Sequence, residues 1–446
     1  MTKAGGVGDA SSFQLSDIKR VLGSQVAQLI ELIAREAQED DLPLYLAGGV
    51  VRDLLLGKAN LDLDLVVEGD AISFAASLTG LYGGRVQDHK PFGTAKWTLD
   101  ESTAKTLALA LDGILTHLDF VTARSETYAQ PAALPLVASA DIESDLLRRD
   151  FSVNALAIQL SPRAKCGRLL DVCDGKDDLK RGLIRALHDQ SFIDDPTRIL
   201  RALRYARRLG FELEANTAEW MKAALPYLGR VSGQRLSKEI DLILREPLAG
   251  DIMLQLQDFD ALVNIHPAFR VNPQLPELIA SCHKLEPPWA REAIEGQTLR
   301  WIVLMNGIGS AEVRGLCERL ALTNELRQSI TASASLSERI NPFEDPAILP
   351  SQVARILDEF SDTNLQVGWL LAAERTAVQS KIAAYASDWR NRRPTISGSD
   401  LKAMGIAPGP RYRQILDRLR FAWIDGDVRS VEDETALLQK LLDAGD

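Results

Sequence analysis

The hydrophobic pattern of this chain changes period once, near residue 180, and no single-layer architecture satisfies both halves. Strand-like runs crowd the first ~180 residues, at Leu44 to Ala47, Leu61 to Val67, Leu118 to Thr122, Ser152 to Leu160 and Arg168 to Val172, with helical spacing between them. From about Asp195 the apolar residues recur at helical spacing, as in RILRALRYARRLGF and QRLSKEIDLILREP, interrupted by Pro247, Pro267, Pro287 and Pro288. The expectation is an α+β unit followed by helices. The stretch NRRPTISGSDLKAMGIAPGPRY, with Pro394, Gly398, Gly405, Pro408, Gly409 and Pro410, marks a hinge or domain edge before a small helical tail.

Composition narrows the class. At roughly 150 residues per domain, 446 residues suggest about three compact units. A hydrophobic share of 46% excludes disorder. No run approaches the ~18 apolar residues of a membrane span, and the opening MTKAGGVGDASSF lacks a basic start and apolar run, so a cytoplasmic protein is expected. Cys166, Cys173, Cys282 and Cys317 form no CxxC and stand beside no paired histidines, which disfavours a disulfide framework and structural zinc. The net charge of -11 excludes coating nucleic acid by bulk positive charge. A local surplus exists nonetheless: fourteen basic residues outnumber eight acidic ones between Leu146 and Gly210.

Four segments carry chemistry. In LYLAGGVVRDLLLG a strand runs into Gly48 and Gly49 and then a helix bearing Arg52 and Asp53; glycines let a phosphate approach the backbone and Arg52 adds a charged donor, although such a turn is often only a turn. In LDLDLVV, strand alternation puts Asp62 and Asp64 on one face and Leu61, Leu63 and Leu65 on the other, so that two hard oxygen ligands can converge on magnesium; the alternative is a solvated edge strand. DLLRRDFSVNALAI sets Arg148, Arg149 and Asp150 before an alternating strand with Asn154, where Arg149 could grip a triphosphate or ribose, or merely mark a charged strand entry. In FIDDPTRILRALRYARRLGF a helix is expected from near Asp195, with Pro196 in its first turn. Asp195, Arg198, Arg201 and Arg204 recur every three residues as a polar stripe, while Ile199, Leu200, Leu203 and Ala206 form the buried side. A solvated ion-paired face is the competing reading.

Taken together, GGVVRDLLLG, LDLD, RRDFSVNALAI, DGKDDL with IRAL, and DDPTRILRALRYARRLGF resemble the class II tRNA nucleotidyltransferase and bacterial poly(A) polymerase family over residues 44 to 211. QRLSKEI around Arg235 and Glu239 and ISGSDLKAMGIAPGPRYRQIL resemble its later regions. The resemblance implies an N-terminal extension (1–22), a polymerase-β-like catalytic head (23–175), and helical neck (176–275), body (276–390) and tail (391–446). By position, Asp62 and Asp64 would be catalytic magnesium ligands, Gly48, Gly49 and Arg52 would line the nucleotide, and Arg149 would touch phosphate or ribose. Asp195 and Arg198 would read the base, and Arg201 and Arg204 would complete the nucleotide site. Asp119 is a possible third carboxylate, with a structural Asp at a sheet edge as the alternative. Asp194 and Ser152 stand where the family usually has Glu and Thr, keeping charge and hydroxyl.

The implied activity is addition of CCA from CTP and ATP to the 3′ end of tRNA, gripped along its acceptor stem; no membrane or protein partner is evident. The segment TARSETYAQPAALPLVAS occupies the place of a loop the family needs to add A, which disfavours a CC-only enzyme. The acidic ending LLDAGD differs from the basic extension of the family's poly(A) polymerases. An A-only enzyme and a poly(A) polymerase are the rivals within the family. A noncatalytic RNA-binding protein on the same scaffold would have lost an aspartate, and both are present.

Overall fold

The computed structural model describes residue 13 and residues 15–109, 115–281, 296–407 and 409–443. Cys282, Pro287, Pro288, Pro408 and most of the opening segment lie outside these. The chain divides into two compact units, Met1–Val231 and Ser232–Asp446.

The first unit carries the strands β1 (Leu44–Ala47), β2 (Asp64–Val67), β3 (Arg85–His89), β4 (Thr94–Thr98), β5 (His117–Thr122), β6 (Arg124–Thr127), β7 (Leu136–Ser139), β8 (Leu156–Ser161) and β9 (Leu169–Asp171), and a short parallel pair, Leu183–Ile184 with Glu212–Leu213. Seven of them form a mixed sheet in the order β3-β4-β5-β2-β1-β8-β9, in which β2 and β5 run parallel and the other neighbours antiparallel. The four residues of β1 are all buried, so this central strand is covered on both faces. Two helices lean on the sheet. Ser24–Glu39 buries Val26, Ala27, Leu29, Ile30, Ile33 and Ala37, an apolar stripe at helical spacing. Ala71–Tyr82 packs on β4 and β5; Asp70 starts it by accepting from the Ile72 and Ser73 N–H groups.

Three local expectations shift. LDLDLVV pairs only from Asp64, because the Asn60 side-chain oxygen accepts from the Asp62 N–H at 3.0 Å and turns the backbone out of the ladder. Leu63 and Leu65 are still buried, so the alternation holds. Asn154 sits in a 3-10 turn (Ser152–Asn154) before β8 rather than on the strand, held by its Nδ2 donating to Asp150 Oδ1 at 2.9 Å. The TARSETYAQPAALPLVAS segment folds back on itself as the antiparallel β6-β7 hairpin.

The second unit is helical, from Gly233–Leu244, which carries QRLSKEI, to Val431–Asp443. One core gathers Leu336, Phe343, Leu357, Leu365, Ile382 and Tyr385. A smaller one gathers Leu401, Ile415, Leu419 and Leu438 after the Pro- and Gly-rich stretch. Glu434 is buried and accepts from the Thr395 and Ile396 N–H groups and from Trp423 Nε1, each at 3.1 Å, which ties that stretch to the last helix. Among the described residues no helix is long and apolar enough to cross a membrane.

Candidate active site

The Gly-Gly turn lets two other segments close on one point. Gly48 leaves β1 at φ +83°, and a Cβ there would lie 2.5 Å from Arg149 Nη1 and 3.7 Å from Asp64 Oδ2. Both the positive φ and the close approach demand glycine. The helix that follows, Gly49–Leu55, is only seven residues long, and Arg52 turns into the protein rather than outward. It is 2% exposed; Nε and Nη2 donate to the two Asp53 oxygens at 2.9 and 2.8 Å, and Nη1 donates to Asn154 Oδ1 at 2.6 Å. Arg52 thus locks the first segment to the third.

Parallel pairing of β2 with β5 sets Asp64 opposite Asp119. Asp62, Asp119 and His117 offer ligand atoms that all lie within 4.8 Å of one another. Lys96 Nζ is 3.5 Å from Asp119 Oδ1 and His117 Nε2 is 3.7 Å from Asp119 Oδ2. Burial, opposed by Arg149 and reinforced by Asp62, Asp119 and Asp145, pushes the Asp64 carboxyl up to about 6. Carboxylates crowded to this degree, with imidazole beside them, fit a divalent cation. The period-two signal of HLDFVT places His117 on the face of Asp119, so His117 was legible once Asp119 was chosen.

The arginines are distributed around this point. Arg149 Nη2 and Arg148 donate to the same buried carboxylate, Asp145, at 2.9 Å and 2.7 Å. Arg201 Nε and Nη2 donate to Asp150 Oδ2 at 2.8 and 2.6 Å. The Tyr205 ring collects three guanidinium carbons, of Arg52 at 5.3 Å, Arg201 at 5.5 Å and Arg204 at 5.2 Å. The helix observed as Thr197–Leu209 begins two residues after Asp195, whose Oδ1 accepts from the Thr197 N–H at 3.0 Å and hydroxyl at 2.6 Å. Arg198 Nη1 donates to Ser191 Oγ at 2.6 Å and Nη2 to the Arg148 carbonyl at 2.8 Å. The expected polar stripe is therefore not solvated: Arg198 is 6% and Arg204 5% exposed. Gly48, Asp64 and Arg149 meet directly; Asp62 joins Asp119 and His117; Arg52, Arg201 and Arg204 meet on Tyr205; Arg198 is joined to the backbone next to Arg149. Asp145 and Tyr205 carried no sequence signal of their own, because one reads as a helix acid and the other as core.

Residues 44–185 match the Poly A polymerase head domain, and residues 210–271 match a domain described as a probable RNA and SrmB-binding site of polymerase A. An A-adding tRNA nucleotidyltransferase of Geobacter sulfurreducens is 31% identical over 443 residues, 96% of this chain and 48% of its own length, so this chain spans about half of that relative. An A-adding tRNA nucleotidyltransferase of Halalkalibacterium halodurans is 31% identical over 417 residues, 91% of this chain and 90% of its own. Others, less similar, are named CC-adding tRNA nucleotidyltransferase and CCA-adding enzyme. A solved Thermotoga maritima CCA-adding enzyme complexed with tRNA matches with a TM-score of 0.71 at 28% identity, over 97% of this chain and 98% of that one. The match to these relatives over nearly the whole chain and the meeting of Asp64 and Arg149 at Gly48 agree, and the chain belongs to the tRNA nucleotidyltransferase and poly(A) polymerase family.

Proposed function

We propose that this chain extends the 3′ end of tRNA without a nucleic acid template, drawing on CTP and ATP, releasing pyrophosphate and requiring magnesium. The observation that carries the reading is the gathering of Asp62, His117 and Asp119, with Asp64 opposite Asp119 in the ladder and beside Gly48 and Arg149. Asp62 and Asp64, with Asp119 and His117 adjoining, would hold magnesium, which when bound activates the primer hydroxyl and neutralises the leaving pyrophosphate. Arg149 offers its charge to phosphate or ribose across the glycine turn. Arg201 and Arg204 add positive charge around Tyr205, while Arg52, buried on Asp53 and Asn154, holds the glycine turn to the RRDFSVN segment.

Asp195 and Arg198 supply base selection. A fixed carboxylate accepts from an exocyclic amino group, and a guanidinium donates to ring nitrogen or carbonyl acceptors. Cytosine and adenine offer that pattern; uracil and guanine present a carbonyl where the amino group should be, which leaves repulsion and an unpaired acceptor. The neck, body and tail division near residues 175, 275 and 390 belongs to the same proposal, with the helical parts gripping the acceptor stem.

Two finer readings share AMP addition. Complete CCA synthesis is the reading of the sequence, and the β6-β7 hairpin segment supports an enzyme that adds A. A-only addition is favoured by a specific observation: the relatives at 31% identity over nearly the whole chain bear A-adding names. Incubating the protein with tRNA lacking CCA and with tRNA ending in CC, each NTP alone and combined, and reading product length at one-nucleotide resolution, separates them. Extension of the shorter tRNA by three nucleotides supports CCA addition; extension of only the CC-ended tRNA supports A addition. No extension of either refutes both.

A further inference from the structure

The side chains placed on the nucleotide hang from a carboxylate that the reading above leaves without a task. Asp145, in the helix Ile142–Leu147, is 0% exposed. Its Oδ1 accepts from Arg148 Nε at 3.0 Å and Nη2 at 2.7 Å and from the Arg124 N–H at 3.3 Å; its Oδ2 accepts from Arg149 Nη2 at 2.9 Å. Spacings of three and four residues put both guanidiniums over one acid. On a surface such pairs are worth little, but a carboxylate wholly removed from water is tolerated only if its charge and lone pairs are met, and these partners meet them. Despite burial, Arg149 and Arg148 hold the Asp145 carboxyl below the usual carboxylate range.

The two arginines then lead in different directions. Arg149 Nη1 lies against the Gly48 backbone beside Asp64. The carbonyl of Arg148 receives Arg198 Nη2 at 2.8 Å, and the Arg148 guanidinium is braced from its other side by Glu126 at 3.0 Å. One carboxylate therefore fixes the charge next to the acidic cluster and the piece of backbone to which the base-reading guanidinium is bonded.

We propose that Asp145 is a positioning residue for nucleotide use and choice, setting Arg149 directly and Arg198 through Arg148 without touching the nucleotide. The inference rests on the assignment of Arg149 and Arg198 to the nucleotide made above. Asparagine at this position keeps the volume and one acceptor oxygen, but turns an N–H₂ or leaves a neutral oxygen toward arginines that need charge.

The test is steady-state kinetics with ATP and GTP on tRNA ending in CC, for the full chain and for Asp145→Asn, Arg148→Gln and Arg198→Ala, with thermal unfolding of each. Asp145→Asn is expected to raise KM for ATP about ten-fold or more, with kcat changed less, and to narrow the ATP-over-GTP preference about five-fold or more. Arg148→Gln keeps the Asp145–Arg149 pair, and is expected to narrow the preference with a smaller rise in KM. A folded Asp145→Asn protein with wild-type KM and preference overturns the proposal, as does a fall in kcat alone that is equal for both nucleotides. If Asp145→Asn does not fold, Arg148→Gln decides: an unchanged preference overturns the proposal. Arg198→Ala separates the premise from the inference. Unchanged nucleotide choice there refutes the base-reading assignment itself, whereas a changed choice there with none in the other two refutes only the role of Asp145.

Discussion

Asp195 caps the start of a helix and, in the proposed function, also reads the base, and the two contributions can be pulled apart. Its Oδ1 takes the Thr197 N–H and hydroxyl at the start of the Thr197–Leu209 helix, a capping contact whose loss costs about 1 kcal/mol. Base selection is a separate quantity. Asp195→Ala is expected to lose about ten- to a hundred-fold in discrimination against UTP and GTP, beyond that stability cost, in kcat/KM measured for all four NTPs. Unchanged discrimination with lowered stability would leave Asp195 as a cap only. Asp62→Ala and Asp64→Ala are expected to reduce turnover by about a hundred-fold or more while tRNA affinity, read by filter binding, stays near wild type. Near-normal turnover by either variant in magnesium would remove it from the ligand set. The aspartates were legible because alternation on a strand is a two-residue rule. Asp145 was not, because its importance comes from Arg148 and Arg149 folding back over it and from Arg198 reaching the Arg148 carbonyl across fifty residues.

At the scale of elements, the site is a set of short segments crossed by polar ties. The Thr197–Leu209 helix is joined to the RRDFSVN turn by Arg201 and Asp150. Burial opposes ionisation of Asp150, but Arg201, Asn154 and Arg198 outweigh it and hold the carboxyl at about 2. The folded value lies below the unfolded one, so the stabilisation is fully present above about pH 4 and is lost as pH falls toward 2; its size is about 2 kcal/mol. The stability gap between wild type and Asp150→Asn, from denaturant midpoints, should therefore shrink between pH 5 and 2; a constant gap would contradict the pairing. Gly48→Ala should cost about 1–3 kcal/mol by imposing a Cβ at positive φ and pushing Arg149 aside, and should raise KM for the nucleotide more than a strain-only change elsewhere in the head. Wild-type KM in a folded Gly48→Ala protein would separate the turn from the nucleotide. The central strands β1 and β5 and the edge strand β9 fall close to their sequence signals, whereas β3 and β4 gave none that stood out. β3 is a polar edge strand, and β4 shows only Ala95 and Trp97 inward. The start of β2 was displaced by Asn60, a single side-chain bond that hydrophobic periodicity does not register.

For the molecule as a whole, the proposed function requires a chain of net charge -11 to hold a polyanion. Long-range electrostatics repels RNA, so affinity has to come from contacts at short range, concentrated where basic residues exceed acidic ones. Much of that surplus is already engaged within the protein. Arg148 and Arg149 are paired with Asp145, Arg185 with Asp178, and Arg201 with Asp150. Only basic groups that release counterions on meeting phosphate steepen the salt dependence, so the number that counts is smaller than the number of basic side chains. tRNA affinity should fall with salt with a log–log slope between about -2 and -5, corresponding to a handful of phosphate contacts, and not near -10. Because such contacts go to phosphates and 2′ hydroxyls, swapping base pairs within the acceptor stem should change affinity by less than about three-fold. Fluorescence anisotropy with labelled tRNA at 50, 100 and 200 mM salt, on wild-type and stem-swapped sequences, reads both quantities. A flat salt dependence would place recognition in uncharged contacts, and a strong dependence on stem sequence would place it on base edges; either outcome would overturn backbone recognition by this family member.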